Sequence, residues 1–254
     1  MNRIEFQQLL GKNAPMVLPV IHVVDKHQVE QNVRIALAEG CPGVFLINHD
    51  FPYTELLPII SYTRKTFPSL WLGVNFLGVT GKEAFPVLGM LKTDKITVNA
   101  YWADDARIDE NRAAYDQIEA RKILDIKIKS GWEGLYFGGT AFKKQRPVAE
   151  EDFHKAAQLA CQYMDVVTTS GIATGKAPDL SKIRVFRKAC KDQALALASG
   201  VTPENVVQYS NFVDVFMVAT GINFDGDFYN IDPSNLRTLI KTLNSTRRKD
   251  HVKE

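Results

Sequence analysis

The 254 residues carry 31 Lys and Arg against 29 Asp and Glu, a net charge of +2, and 45% of them are hydrophobic; this balance excludes a strongly basic nucleic-acid binder and a disordered polar chain. The length suits one α/β barrel with a large core, so a single domain over 1–254 is expected. No apolar run reaches the ~18 residues of a membrane helix, and residues 1–12 lack the apolar stretch of a secretory signal, which predicts a cytoplasmic protein without membrane insertion.

In chain order, short β-branched apolar runs alternate with longer amphipathic segments, the pattern of parallel strands joined by helices. Strands are predicted over 17–24, 43–48, 70–77, 95–100, 134–140, 165–171, 194–200 and 214–221, and helices over 26–39, 53–66, 111–129, 150–163, 180–189 and 233–243. The alternation predicts an α/β protein, a (β/α)8 TIM barrel. Thr202-Pro203-Glu204 and Asp232-Pro233 read as helix starts, each with a capping side chain before a first-turn proline. The charged segment 246–254 is expected to fray. Cys41, Cys161 and Cys190 are odd in number and widely spaced, so buried thiols are expected, not a disulfide framework or zinc site.

In such a barrel, chemistry sits on the loops that follow the strands, at the C-terminal face. That rule nominates His22, Asn48 with His49 and Asp50, Asn75, Asn99, Thr140, Ser170-Gly171, Ser199-Gly200 and Thr220-Gly221. His22 reads as a general acid or base near neutral pH, or as a barrel-layer histidine bonded to its neighbours. His49 beside Asp50 offers an imidazole and a carboxylate, with a loop-capping Asp as the alternative. Asn75 and Asn99 are expected to face bound hydroxyls, unless they tie loops together. Asp104, Asp105 and Asp109 would suit a hard cation, although a solvated loop is the simpler reading. Trp102 is expected to stack on a ligand from a polar loop, and Trp71 to pack under a helix. Lys143, Lys144 and Arg146 suit a phosphate or carboxylate gripped by a closing loop, or plain solvation. No cofactor and no metal site are predicted, a divalent cation being the one addition the chemistry allows.

Ser170-Gly171, Ser199-Gly200 and Thr220-Gly221 end three successive predicted strands with a hydroxyl and a glycine. Glycine lets the backbone approach a ligand closely, and helix starts attract anions. These six residues are therefore expected to bind phosphate, tight turning being the plainer explanation of any one pair.

At this point two blocks carry a family resemblance. The segment TTSGIATGKAPDL at 168–180 resembles the TGSATGxxPDL of the BtpA/SgcQ family, and ASGVTPENV at 198–206 resembles its GSGVTPENV. The strand 214–221, the turn Asp225-Gly226-Asp227 and Ile231-Asp232-Pro233 are similar to the family's final strand, DGD turn and helix start. Weaker echoes lie upstream in Gly73-Val74-Asn75, in Val98-Asn99 and in Glu110-Asn111-Arg112-Ala113. The resemblance implies a TIM barrel grouped with ribulose-phosphate-binding barrels, in a family linked to photosystem I biogenesis or to sugar and nucleoside metabolism. It also implies ligand proximity for Asp227, taken here as a catalytic candidate with His22, Asn75 and Asn99. Where the family carries an HxKH segment on the fifth strand, this chain has FGGTAFKK at 137–144. The first-strand loop is shortened after His22, and Ile47-Asn48-His49 replaces an acidic residue before the family's Asn.

Two classes of function follow: an enzyme acting on a phosphorylated sugar or nucleoside-like molecule, with Asn48, His49, Trp102 and Lys143 as further contacts, or a noncatalytic binding or assembly factor that keeps a phosphate pocket. A homo-oligomer is expected, because many such barrels self-associate, although no segment of the sequence marks an interface.

Overall fold

In the computed structural model, residues 1–11 and 15–250 are described, with side chains to 245, and eight parallel strands close into a barrel in chain order. The elements are α1 (Arg3–Leu10), β1 (Met16–Val23), α2 (Lys26–Ala38), β2 (Gly43–Asn48), α3 (Tyr53–Thr66), β3 (Trp71–Asn75), α4 (Gly81–Thr93) and β4 (Ala100–Ala103). They continue with α5 (Ile118–Ser130), β5 (Leu135–Gly139), α6 (Phe153–Ala160), β6 (Val166–Ser170), α7 (Leu180–Cys190), β7 (Ala194–Ala198), α8 (Val206–Tyr209), β8 (Val215–Val218) and α9 (Pro233–Asp250). Pairing of Met16 with Val215 through Pro19 with Val218 closes the ring.

The strands are apolar on both faces because both are buried. Inward-facing Leu18, Phe45, Ile47, Phe137, Ala196 and Met217 fill the barrel, while Val17, Leu46, Val74, Tyr101, Val167 and Phe216 pack beneath the helices. Helix α1 seals the N-terminal end. Its capping box pairs the Asn2 side chain with the Glu5 N–H and the Glu5 carboxylate with the Asn2 N–H, and Phe6, fully buried, meets Phe137 edge-on at 6.0 Å. At the same end the buried Asp214 accepts from Arg3 Nε at 2.6 Å, Arg187 Nη1 at 3.0 Å and the Leu195 N–H at 2.9 Å. The opposite, C-terminal end is where the polar residues gather.

Several sequence expectations change. The periodicity does not single out α1 or α4; α4 carries Gly81, Pro86 and Gly89, and a side chain at Gly89 would strike the Ser130 carbonyl of the adjoining helix. The fourth strand runs over Ala100–Ala103, not 95–100: the Ile96 N–H still bonds to Leu91 O as the end of α4, and Lys95 turns the chain at φ 61°. Residues 111–129 open with a separate turn at Ala114–Asp116 before α5. The Thr202 start is a tight turn, in which Asn205 Oδ1 accepts the Thr202 N–H, leading to a helix of only four residues. Asp232 does cap α9, accepting the Ser234 N–H at 2.7 Å. The backbone of the tail expected to fray from 246 is helical to Asp250, and 251–254 lie outside the described residues. The cysteines form no disulfide among the described residues; Cys41 and Cys190 are buried and Cys161 is half-buried. Among those residues no helix is long and apolar enough to cross a membrane.

Candidate functional site at the barrel mouth

His22 ends the inward phase of β1. Its Nδ1 lies 2.8 Å from the Phe228 carbonyl oxygen, which can only accept, so Nδ1 carries the proton and Nε2 presents a lone pair. The Phe228 ring stacks on the imidazole at 3.8 Å, and His49 stands edge-on to both, at 4.7 Å from His22 and 5.1 Å from Phe228. Burial, the largest influence, takes the His22 pKa down to about 4, with His49, Lys143 and Lys144 acting in the same direction. Burial and then Lys144 lower His49 as well. Both rings are thus predisposed to be neutral bases.

Phe228 is held over His22 by the segment 223–231. Tyr229 O accepts from Gln28 Nε2 at 2.7 Å and Asn32 Nδ2 at 2.8 Å, Asn32 Oδ1 accepts the Ile231 N–H at 3.0 Å, and Tyr229 OH donates to Asp50 at 2.8 Å. Asp227, expected to be catalytic, caps this loop: its carboxylate accepts from the Tyr229 N–H at 2.7 Å, the Asn230 N–H at 3.0 Å and Asn230 Nδ2 at 2.8 Å. Those bonds, Asn230 first, keep its pKa below the usual carboxylate range.

Across the mouth, Asn75 Nδ2 donates to Asp104 Oδ1 at 3.1 Å, both residues being buried. Burial raises the Asp104 pKa, and Lys143 opposes it; burial lowers the Lys143 ammonium, and Asp104 opposes that. Lys143 Nζ donates to Thr174 Oγ1 at 3.0 Å and its backbone N–H to Ser170 Oγ at 2.9 Å. Lys182, which periodicity alone does not mark, donates to Ala141 O at 2.6 Å and Ser170 O at 2.7 Å, and burial takes its pKa to about 8.

Other nominated residues lie elsewhere. Asn99 precedes β4, so it sits at the opposite end of the barrel, where its Oδ1 accepts the Leu72 N–H and Arg64 Nη2, both at 2.9 Å. Trp102 is inside β4 at 4% exposure, edge-on to Phe45 and Phe142, and is no loop stacker. Trp71 faces the barrel interior, not a helix, edge-on to Phe45 at 5.5 Å. Asn48 braces two loops, donating to Phe51 O at 2.8 Å and accepting the Leu77 N–H at 3.1 Å. Asp105 pairs with Arg107, and Asp109 with Arg112. Arg146 is taken up by the buried Glu110. Among the described residues no group of three or more His, Cys, Asp or Glu side chains is arranged to hold a metal ion.

The hydroxyl–glycine pairs come together, but their glycines serve loop packing. A side chain at Gly171 or Gly200 would strike the backbone of Lys176 and Ala177, and one at Gly221 would strike Val201 O. Ser170 Oγ already donates to Gly171 O at 2.8 Å. Ser199, at φ 75° in the left-handed region that disfavours side chains, keeps a buried Oγ with no partner among the described residues. Thr220 and Gly221 line a cleft of about 500 Å³ with Thr202, Asn223, Asp225 and Asp227.

Sequence reading gave Asp104 to a cation-suited or solvated loop after the fourth strand, not to a buried place beside Asn75, and did not mark Phe228 or Asn32. For Asp104 the signal was present: the strand end moves from Ala100 to Ala103 once Lys95 and Ile96 are given to the turn after α4. The other two act through backbone carbonyls and long-range packing, which no local pattern encodes.

The closed barrel and its polar C-terminal mouth define a (β/α)8 protein of enzyme-like architecture. The BtpA family model matches residues 59–245, and the chain belongs to that family. Solved structures agree in fold. The tryptophan synthase α subunit of Legionella pneumophila str. Paris matches with a TM-score of 0.64 at 14% identity, covering 96% of this chain and 99% of that one. A structure described as native KDPGal gives 0.61 at 10% identity, with coverage of 93% and 98%. Phosphoribosyl anthranilate isomerase from Thermus thermophilus gives 0.57 at 14% identity, with coverage of 91% and 100%. No curated protein matches the chain.

Proposed function

We propose that the protein is an enzyme acting on a phosphorylated sugar or nucleoside-like small molecule by proton transfer at the barrel mouth. The observation that carries this reading is that His22, with Nε2 as a neutral base, and the buried Asp104, bonded to Asn75, stand at the C-terminal ends of β1 and β4 under the influence of the same two cations, Lys143 and Lys144. Perturbed acid and base groups at the C-terminal ends of barrel strands are where this fold performs chemistry. In the proposed roles, His22 and Asp104 exchange protons with the substrate, Asn75 orients Asp104, and Lys143 balances charge. The phosphate is assigned to the rim of Ser170, Gly171, Ser199, Gly200, Thr220 and Gly221, where the unpartnered Ser199 Oγ is the strongest support. The fold neighbour named as a phosphoribosyl anthranilate isomerase is consistent with a phosphorylated substrate, as a likeness of fold.

A ligand that binds the native state alone raises its apparent stability. Thermal melting against phosphosugars, nucleotides, their dephosphorylated forms and inorganic phosphate tests the reading. Phosphorylated compounds are expected to raise the midpoint and their dephosphorylated forms to do so far less, with Ser199→Trp, checked for folding, abolishing the difference. Equal response across each pair, or none, would overturn the phosphate assignment and turn attention to an assembly role.

A further inference from the structure

Asn75, Trp102, Asp104 and Thr168 are buried, at 1%, 4%, 6% and 0% exposure. Side chains two residues apart on a strand share a face. Trp71, Trp102 and Val166 belong to or pack on the interior cluster, which puts Asn75, Asp104 and Thr168 on the inward phase toward the mouth. Three of their polar atoms, Asn75 Oδ1, Trp102 Nε1 and Thr168 Oγ1, have no hydrogen-bond partner among the described residues. Buried polar atoms are nearly always paired, and leaving them unmade is costly. Three of them on the inward phase of β3, β4 and β6, the strands that register Asn75 beside Trp102 and Asp104 toward Thr168, mark a place that ligand groups complete.

The set is uneven in kind. An indole N–H only donates, an amide oxygen or carboxylate only accepts, and a threonine hydroxyl does either. Among the described residues a single hydrogen bond, from Asn75, reaches the Asp104 carboxylate. His22 Nε2 adds another acceptor at the same end. Lys143, whose charge acts on Asp104, directs its ammonium hydrogen bond to Thr174 instead. An ionised carboxylate or phosphate, whose charged oxygens only accept, would meet acceptors beside a buried carboxylate. A hydroxyl donates one hydrogen bond and accepts others, and so satisfies both kinds.

The geometry points to a polyol subsite here: the ligand's inner end is an uncharged, hydroxyl-bearing chain or ring held by Asn75 Oδ1, Asp104 and Thr168 Oγ1, with Trp102 Nε1 donating, and its phosphate stays outside. This rests on the proposed action on a phosphorylated molecule and adds which end is buried and what recognises it.

The test uses the full chain and nitrogen–proton correlation spectra of its three tryptophan indoles. Trp102→Phe assigns the Trp102 signal, and Trp132, whose Nε1 donates to Val98 O at 3.0 Å, is the internal reference. Titration with erythritol, ribitol or inositol is expected to move the Trp102 signal and leave Trp132 still, while inorganic phosphate moves neither. Asp104→Asn and Thr168→Val are each expected to weaken the best polyol about tenfold, the equivalent of one lost hydrogen bond; Thr168→Val, nearly isosteric, carries the test if Asp104→Asn does not fold. The subsite is overturned if no polyol moves the Trp102 signal near its solubility limit, if phosphate alone moves it, or if every folded variant binds polyol as the wild type does. A polyol that moves Trp102 and binds no better as its phosphate monoester supports the subsite and refutes the phosphorylated substrate.

Discussion

His22 owes its protonation state to burial, and that makes its contribution to stability depend on pH in a definite direction. Its folded pKa of about 4 lies below the ordinary value of 6.5, so between these values the unfolded chain binds a proton that the folded chain does not. Stability from this residue is therefore complete above pH 6.5, falls as the pH drops toward 4, and levels off below; the full difference is about 3 kcal/mol. His22→Gln is expected to flatten this part of the curve, seen as a smaller loss of urea midpoint between pH 7 and pH 4 than in the wild type. An identical slope in both proteins would mean that the ring is not buried as described. A histidine ending a strand can be read from sequence as a candidate base; the carbonyl of Phe228, which fixes its tautomer, cannot.

At the scale of elements, seven of the eight strands were legible because parallel strands buried on both faces leave continuous apolar runs such as Val44 to Ile47 and Ala194 to Ala198. The fourth strand was not, since the run from Lys95 to Asn99 mixes the end of α4 with the approach to β4, and this shift exchanged Asn99 for Asp104 as the residue at the mouth. Likewise Asp225-Gly226-Asp227 was legible as a turn, but that Asp227 turns its carboxylate inward onto Tyr229 and Asn230 depends on the folded loop. The same loop depends on Asn32, far away in sequence, which bonds Tyr229 O and the Ile231 N–H together. Asn32→Ala leaves the buried Ile231 N–H unpaired and should cost about 1–3 kcal/mol. Because the loop carries Phe228, the variant is also expected to expose His22 and let it titrate closer to its ordinary range. Hydrogen exchange of residues 228–231 and imidazole chemical shifts against pH would register both effects; protection unchanged in the variant would show that Gln28 alone secures the loop.

Across the whole molecule the two ends of the barrel have separate tasks, as this architecture requires. The N-terminal end is held by Asp214, fully buried and bound by guanidinium groups from α1 and α7 and by the Leu195 N–H of β7. Taking away the carboxylate leaves Arg187, itself only 12% exposed, without its anion; breaking such a buried pair on one side costs about 3–5 kcal/mol, more than an exposed ion pair is worth. Asp214→Ala is expected to lower the unfolding free energy from denaturant titration by that amount and to increase exchange in α1, because Arg3 loses the contact that ties the helix to the start of β8. The mouth, at the far end of strands that remain paired, should keep the His22 shifts and the response to phosphorylated compounds of the wild type. A variant that instead loses ligand response in step with stability would mean that the two ends are coupled through the barrel, and that the division of labour fails for this protein.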